Sequence, residues 1–450
     1  MTTDADNNAG SATRGASRGP FRAAVSRRKF VKAAAAGAGA LVTAGRVGRA
    51  QSSETIKIGF ITPRSGALAA FGETDAFVLD TSRKLLADGI SAGGKSYKIE
   101  ILDRDTQSDP ARAGQLAKAL INSDGVDFVL TSATPETVNP VSDTCEAARV
   151  PCLSTGMPWE PWYFGRGAKP GEPSPFKWTY HFGFGVANFS KAYISQWNGP
   201  VKTNNRVAFL MPNDADGNAL RAIFKPILEK AGFTVIDPGG YEDGTTDYAA
   251  QISKFKEEKC EIFTTGPIPP DFAVFWRQAA QQGYTRMVKI AQIAKTCLFP
   301  SQVEALGSLG PKLATVAFWH PTFPYKSSLT GLTSQQLADK YEKDTGKQWN
   351  QMLGDNVALM DAGVAALKAS DDPKSKESIA KALSRLQVMT PVGQVDFGKG
   401  PFPNVFPMVF AGTQWVNAKP GGKFKLDMVV TDNADDPNVP VGAQLVPYNS

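Results

Sequence analysis

From Thr55 onward, short apolar runs alternate with stretches of helical period. "IKIGFI" (Ile56–Ile61) is a β-branched run that predicts a buried strand. A Gly/Pro/Ser loop follows, then a helix over about residues 73–88. "YKIEILDRD" alternates polar and apolar positions and predicts another strand. Ala113, Leu116, Ala117 and Leu120 mark one helix face, followed by "VDFVL" (Val126–Leu130) as a strand. The rhythm continues with a helix over 136–148 and the strand "VPCLS". Beyond a Pro/Gly/Trp-rich stretch at 158–177 come the strand "RVAFLM" and helix 217–231. The strand "FTVI", helix 247–258, strand "EIFTT", helix 271–282 and strand "MVKIA" complete that half. Residues 330–388 read as helical, with Leu353, Val357, Met360, Val364 and Leu367 stepping along one face. The stretch 392–430 reads as short strands. Strands separated by helices of this length predict an α/β chain with parallel sheets covered by helices on both faces.

The segments "DRDTQSDPARAGQLAKALINSDGVDFVLTS" and "YEDGTTDYAAQISKFKEEKCEIFTTG" share one grammar: acidic/Thr loop, helix, polar turn, apolar strand, small-residue loop. That echo predicts two similar lobes. "GISAGGKS" (Gly89–Ser96) matches the phosphate-loop spacing, but it sits after a helix and before a strand. A phosphate loop needs a strand before it and a helix after it, so that helix N–H groups face the phosphates. The glycines here suit a helix stop and a tight turn, with Lys95 in solvent.

Composition changes the picture mainly at the N-terminus. The chain has 450 residues, 42% hydrophobic and 20% charged, with a net charge of +6. Residues 1–50 hold nine of the 49 Lys and Arg and two of the 43 acids, leaving 40 bases against 41 acids elsewhere. The body is near neutral, which removes the electrostatic case for a nucleic-acid partner. The basic segment reads as an address. "SRRKFVK" (Ser26–Lys32) resembles the twin-arginine export signal. A small-residue apolar stretch (Ala33–Gly45) follows, and "GRA" (Gly48–Ala50) offers a cleavage site after Ala50. The expected product is a soluble periplasmic protein that meets the twin-arginine translocon during export. Cys145, Cys152, Cys260 and Cys297 lack metal spacing and read as buried thiols, with a Cys145–Cys152 bridge left open by an oxidising compartment. Two distant histidines and no dinucleotide fingerprint in the mature chain argue against an enzyme, a metal centre or a cofactor.

Seven stretches in order carry a resemblance: "IKIGFITPRSGALAAFGE", "LDRDTQSDPARAGQLAKALI", "DGVDFVLTSATPETVNPVSD", "VPCLSTG", "VAFLMPNDADGNAL", "GTTDYAAQISKFKEE" and "FWRQAAQQGY". Together, over about 54–430, they resemble the leucine/isoleucine/valine-binding family of type I periplasmic binding proteins, substrate-binding components of ABC transporters. The resemblance implies two Rossmann-like lobes joined by a three-segment hinge, about 54–178 plus 320–388 and 179–319 plus 389–435, with 436–450 as a tail. It implies a small-molecule ligand held between the lobes, a membrane ABC permease as partner, and a monomer. A ligand sensor of the same shape stays open, and a twin-arginine-exported enzyme is the rival class.

In open α/β sheets, ligands bind beyond the carboxyl ends of the strands. The loops there contain Ser65, Thr134, Thr137 and Thr155 as hydrogen-bond donors, and Phe71, Trp159 and Trp162 as flat apolar surface, with Trp162 expected to pack within a lobe. Gly156 and Met157 lie in the same loop as Trp159. The helix start near Glu136 and Thr137 favours an anionic ligand group. His181 and the Trp319–His320 pair fall near the expected crossings. In amino-acid binders of the resembled family, a Ser/Thr pair holds the carboxylate, and an acid helped by tyrosines holds the ammonium. By resemblance, Pro135 or Glu136 and Pro158 stand for the Ser and Thr, Gln292 for the acid, and Asp216 and Ile268 for the tyrosines. This departure points from a branched-chain amino acid toward a small organic acid, aromatic or otherwise, while Glu136 or Asp216 could still hold an amine.

Overall fold

The computed structural model describes residues 54–450; the export signal expected within residues 1–50 lies outside them. The first apolar run forms strand β1 (Thr55–Thr62), buried on both faces because helices cover its sheet from either side. The chain continues through β2 (Ile90–Ala92), β3 (Lys95–Asp105), β4 (Phe128–Ser132), β5 (Cys152–Thr155) and β6 (Thr179–Gly183). It then makes β7 (Arg206–Leu210), β8 (Thr234–Ile236), β9 (Ile262–Thr265), β10 (Ile290–Ile293) and β11 (Ala314–Ala317). A hairpin of β12 (Gln387–Thr390) and β13 (Gly393–Asp396) precedes β14 (Val405–Pro407), β15 (Ala411–Asn417) and β16 (Leu426–Asp432).

These strands build two seven-stranded sheets, ordered β14-β6-β5-β4-β1-β3-β2 and β16-β15-β11-β10-β9-β7-β8. Within each sheet the central pairings are parallel; β2 in the first, and β15 and β16 in the second, add antiparallel edges. The first sheet takes in Thr179–Gly183, which the sequence reading assigned to the second lobe. The crossing therefore comes after Gly183, and the Val186–Trp197 helix, which the sequence reading also omitted, packs on the second sheet. The chain passes between the sheets at residues 184–185, again after β11, and again between β14 and β15 at residues 408–410.

The phosphate-loop spacing resolves as a hairpin turn. Gly89 ends the preceding turn at φ +80°, and Gly93 and Gly94 join β2 to β3 at φ +53° and +75°. Positive φ at two successive positions is what a tight hairpin turn demands of glycine. The helical region near 330–388 divides into Ser334–Thr345, Gln351–Ala369 and Lys376–Leu383. The apolar stripe of Gln351–Ala369 suggested one buried face, yet the helix is buried nearly all round. Its polar positions are partnered in the first lobe. Asn356 donates to Asp75 and accepts from Ser132, and Asp361 accepts from Ser327 and from the Leu329 amide. Gly354 is required by packing: a Cβ there would lie 2.0 Å from the Trp319 ring. All four cysteines are buried and unbridged.

Candidate functional site

The two sheets direct the carboxyl ends of their strands toward a common cleft that encloses a cavity of about 50 Å³. Each wall follows from the strand that ends there. Phe71 comes after β1, Ala133 and Thr134 after β4, and Gly156, Met157 and Pro158 after β5. Across the cleft, Asp216 and Leu220 follow β7, Gly266 follows β9, and Ala294, Lys295 and Leu298 follow β10. This is where helix N-termini and loops converge in open α/β folds. Gly156 adopts φ +89°, a conformation that favours glycine, and turns the β5 loop into the cavity.

The floor comes from the crossings. Phe184, Phe318 and Phe410 lie one on each, and all three line the cavity. The Phe184 ring is stacked on Phe318 with centroids 5.7 Å apart and lies 4.5 Å from Phe410. Val186, Phe189 and Val316 extend this apolar surface. None of these residues was singled out in the sequence. The signal available was one Phe at each crossing, visible once the crossings are known.

Two residues that line this apolar space each keep one oxygen without a protein partner. Thr134 precedes the Pro135–Ala148 helix but does not cap it, and its buried Oγ1 is unpartnered. Asp216 is 5% exposed; its Oδ2 lies 2.9 Å from Lys295 Nζ, and its Oδ1 is unpartnered. Lys295 also pairs with Asp214 Oδ2 at 2.8 Å. Burial, the Asp214 carboxylate and the Glu136 carboxylate push the Asp216 pKa up to about 7 against the pull of Lys295. Lys295, at φ +45°, is not among the residues expected from the sequence, because a single Lys in a loop carries no distinguishing pattern.

Of the residues expected to contact ligand, the cavity brings together Phe71, Thr134, Gly156, Met157 and Asp216. The others do not line it. Ser65 is exposed and donates to Asp105 at 2.7 Å. Thr155 donates to Asp355, and Thr137 lies 3.5 Å from the Thr134 carbonyl. Glu136 stands beside the cavity, its Oε1 buried and unpartnered. Gln292 donates to Gln196 and accepts from the Trp197 indole, so the Val186–Trp197 helix consumes its amide. Ile268 precedes the Pro269–Gln281 helix and packs on the core.

The expected aromatic stack also moves. Trp159 packs on Phe164 and Phe402, with its Nε1 only 2.2 Å from where a Cβ on Gly185 would sit. It supports the cavity floor from behind and does not face the cavity. Trp162 is buried and stacks on His181 at 5.2 Å. His181 bonds Ser154 Oγ and the Met157 carbonyl, which fixes the β5 loop. Trp319 donates to Ser334, and His320 bonds Thr322 and the Met428 carbonyl. Burial lowers the two histidines to about 3 and about 4, so both are neutral at pH 7.

A family model described as "Periplasmic binding protein" matches residues 55–414. The chain belongs to the periplasmic binding protein family. The leucine-, isoleucine-, valine-, threonine- and alanine-binding protein of Pseudomonas aeruginosa is 25% identical over 245 residues, 54% of this chain and 62% of that one. The chain thus spans under two thirds of the length of the first curated relatives it matches. Among solved structures, the leucine binding protein of Thermotoga maritima has a TM-score of 0.65 at 16% identity, covering 85% of this chain and 99% of that one. A solute binding protein of an ABC transporter from Rhodopseudomonas palustris, in complex with 3,4-dihydroxybenzoic acid, has a TM-score of 0.66 at 19% identity, covering 84% and 98%. These likenesses establish the type I periplasmic binding protein fold. Among the described residues, no helix is long and apolar enough to cross a membrane.

Proposed function

We propose that this chain is the substrate-binding component of an ABC importer, and that it captures a small organic acid with a flat apolar body. The observation that carries this reading is the floor of Phe184, Phe318 and Phe410, one from each crossing. A planar ligand lying on these rings touches all three hinge segments, so its binding energy favours one arrangement of the lobes over another. Its acid group is best accommodated by the first lobe, where Thr134 offers an unpartnered hydroxyl at a helix N-terminus. The Rhodopseudomonas neighbour in complex with an aromatic acid supports this choice, and the leucine-binding relatives keep amino acids as the second reading. The closed lobes would then be recognised by a membrane permease. Twin-arginine export, periplasmic residence and a monomeric state complete the proposal.

The test is a thermal-shift screen of aromatic carboxylates, aliphatic amino acids and neutral amides, with small-angle scattering on the hits. Aromatic carboxylates should raise the melting temperature and compact the protein. A response to leucine-like amino acids alone would overturn the choice of ligand, and no response with no compaction would overturn the binding-protein function.

A further inference from the structure

Outside the cavity lining, a short segment beyond β16 ties the crossings to one another. Residues 433–439 form a loop closed on itself. The Asn433 side chain donates to the Val439 carbonyl at 2.8 Å, and the Asn438 amide donates to Asp436 Oδ1 at 3.0 Å. Local side-chain bonds of this kind fix a turn without help from a sheet. The loop carries Asp435, whose side chain is 8% exposed. Its Oδ2 accepts from the Phe410 amide at 2.9 Å and from Asn188 Nδ2 at 2.8 Å. Asn188 Oδ1 in turn accepts from the Gly185 amide at 3.2 Å. Gly185 lies on the first crossing and Phe410 on the third, so one carboxylate oxygen joins the two. Asp436 accepts from the Tyr325 hydroxyl, and Val439 shares an apolar cluster with Phe323 and Ala411, which extends the tie to the chain leaving the second crossing. Lys191 Nζ stands 3.6 Å from Asp435 Oδ1 but is itself exposed, and a screened pair of that kind contributes little. The N–H bonds to a nearly buried carboxylate are the stronger part.

We infer that Asp435, which does not line the cavity, is a positioning residue for the ligand: it sets the spacing of the crossings that carry the aromatic floor. The inference rests on the cleft being the ligand site. Phe184 directly precedes Gly185, Phe189 directly follows Asn188, and Phe410 carries the bonded amide. All three rings line the cavity, and each sits on or next to a residue in the Asp435 network. A floor whose rings are already spaced does not have to be ordered by the ligand, so that cost does not come out of the binding free energy. Without the carboxylate, the first and third crossings lose their shared acceptor, and Phe184 and Phe410 are held only by their own contact at 4.5 Å. The effect reaches the ligand through bonded and packed groups and needs no contact with it.

The experiment compares Asp435→Ala, Asp435→Asn and the control Glu146→Ala. Glu146 also accepts backbone N–H groups, from Lys177 and Thr179, but does not line the cavity. Isothermal titration uses 4-hydroxybenzoate and leucine as probes. Whichever binds the wild type should bind Asp435→Ala more weakly by about 10-fold. Asp435→Asn keeps an oxygen for both N–H donors and should stay within about threefold of the wild type, as should Glu146→Ala whatever its melting temperature. Hydrogen–deuterium exchange on the ligand-free proteins supplies a readout that needs no probe. The amides at 408–410 should exchange about 10-fold faster in Asp435→Ala and at the wild-type rate in Asp435→Asn. Unchanged exchange or undiminished affinity in Asp435→Ala overturns the inference. So does an equal affinity loss in Glu146→Ala, which would mark general destabilisation. If neither probe binds the wild type, the choice of ligand fails by itself and exchange decides: a faster rate reversed by Asp435→Asn supports the tie, and no change overturns it. Should Asp435→Ala not fold, Asn188→Ala cuts the tie to Gly185 alone and is read in the same two ways, with exchange followed at 184–186.

Discussion

In the first lobe Asp75, Asp355 and Asp361 are buried against hydroxyls and amides; in the second, Asp214 and Asp216 are buried against a lysine. Thr62 and Asn356 donate to Asp75, and Thr155 donates to Asp355. Burial pushes the pKa of Asp75, Asp355 and Asp361 from 3.8 to about 7, so neutral partners suffice for an acid that can keep its proton. These groups stitch the Gln351–Ala369 helix to the strand ends and take no part in lining the cleft. In the second lobe Asp216 stands at the cavity wall, where a lysine holds one oxygen and leaves the other free. Acids with neutral partners, remote from the cleft, serve architecture even where one oxygen, as Asp355 Oδ2, is left unpartnered. An acid held by an ion pair, with one face unpaired, is available to a ligand.

The comparison breaks most sharply at Lys295. Replacing it with Met strands two buried carboxylates, and stability in urea should fall by about 3–5 kcal/mol. A loss below about 1 kcal/mol would mean that the second lobe, like the first, buries its acids by protonation.

The next effect concerns the floor against its support. Phe318→Ala should weaken binding of an aromatic carboxylate by about 30- to 1000-fold, the loss of about 2–4 kcal/mol from one buried aromatic contact. Trp159→Ala, behind Gly185, should lower the melting temperature yet change affinity by less than about fivefold, since the indole touches the floor's backbone and not the cavity. A larger affinity loss for Trp159→Ala than for Phe318→Ala would reverse the placement.

The protonated acids make a pH prediction. Their folded-state pKa values lie above the unfolded value of 3.8. The native chain therefore binds more protons than the unfolded chain between about pH 4 and pH 7. Their contribution to stability is complete below that window and is lost as pH rises through about 7. Asp103 and Asp105, whose pKa values are lowered, act in the opposite sense, so the measurement is a difference between proteins. Asp355→Asn should cost little at pH 5 and gain on the wild type by up to a few kcal/mol by pH 8, followed by chemical denaturation at each pH. Parallel stability–pH curves for the two proteins would count against a protonated Asp355. The smallest effect is at the β2–β3 turn, where Lys95→Ala should lie within about ±0.5 kcal/mol of neutral in stability and leave ligand affinity unchanged.

The cleft was partly legible in advance. The rule that ligands gather beyond strand carboxyl ends pointed to Phe71, Thr134, Gly156, Met157 and Asp216, which the fold brings to one cavity because each follows a strand with a marked apolar run. The rule could not rank residues within a loop. Ser65 and Thr155 sit in the right loops, but each hydroxyl is taken by a nearby carboxylate. Trp159 looked like a ligand platform because a Trp in a Pro/Gly-rich loop needs a partner; the partner is Phe402, more than two hundred residues away.

The alternation of strands and helices, two lobes of similar grammar and the turn chemistry at Gly93–Gly94 followed from local pattern alone, because period and backbone freedom are properties of neighbouring residues. The route of the chain between the sheets did not. Thr179–Gly183 joins the first sheet through pairing with β5 and β14, the latter from beyond residue 400. Phe184, Phe318 and Phe410 become one surface only when the three crossings lie side by side. Likewise Lys295 and Asp216 are 79 positions apart, and nothing local to either states that they meet. Sequence determined the elements because their energetics are local; tertiary structure decided the site because its contacts join residues that only long-range strand pairing brings together.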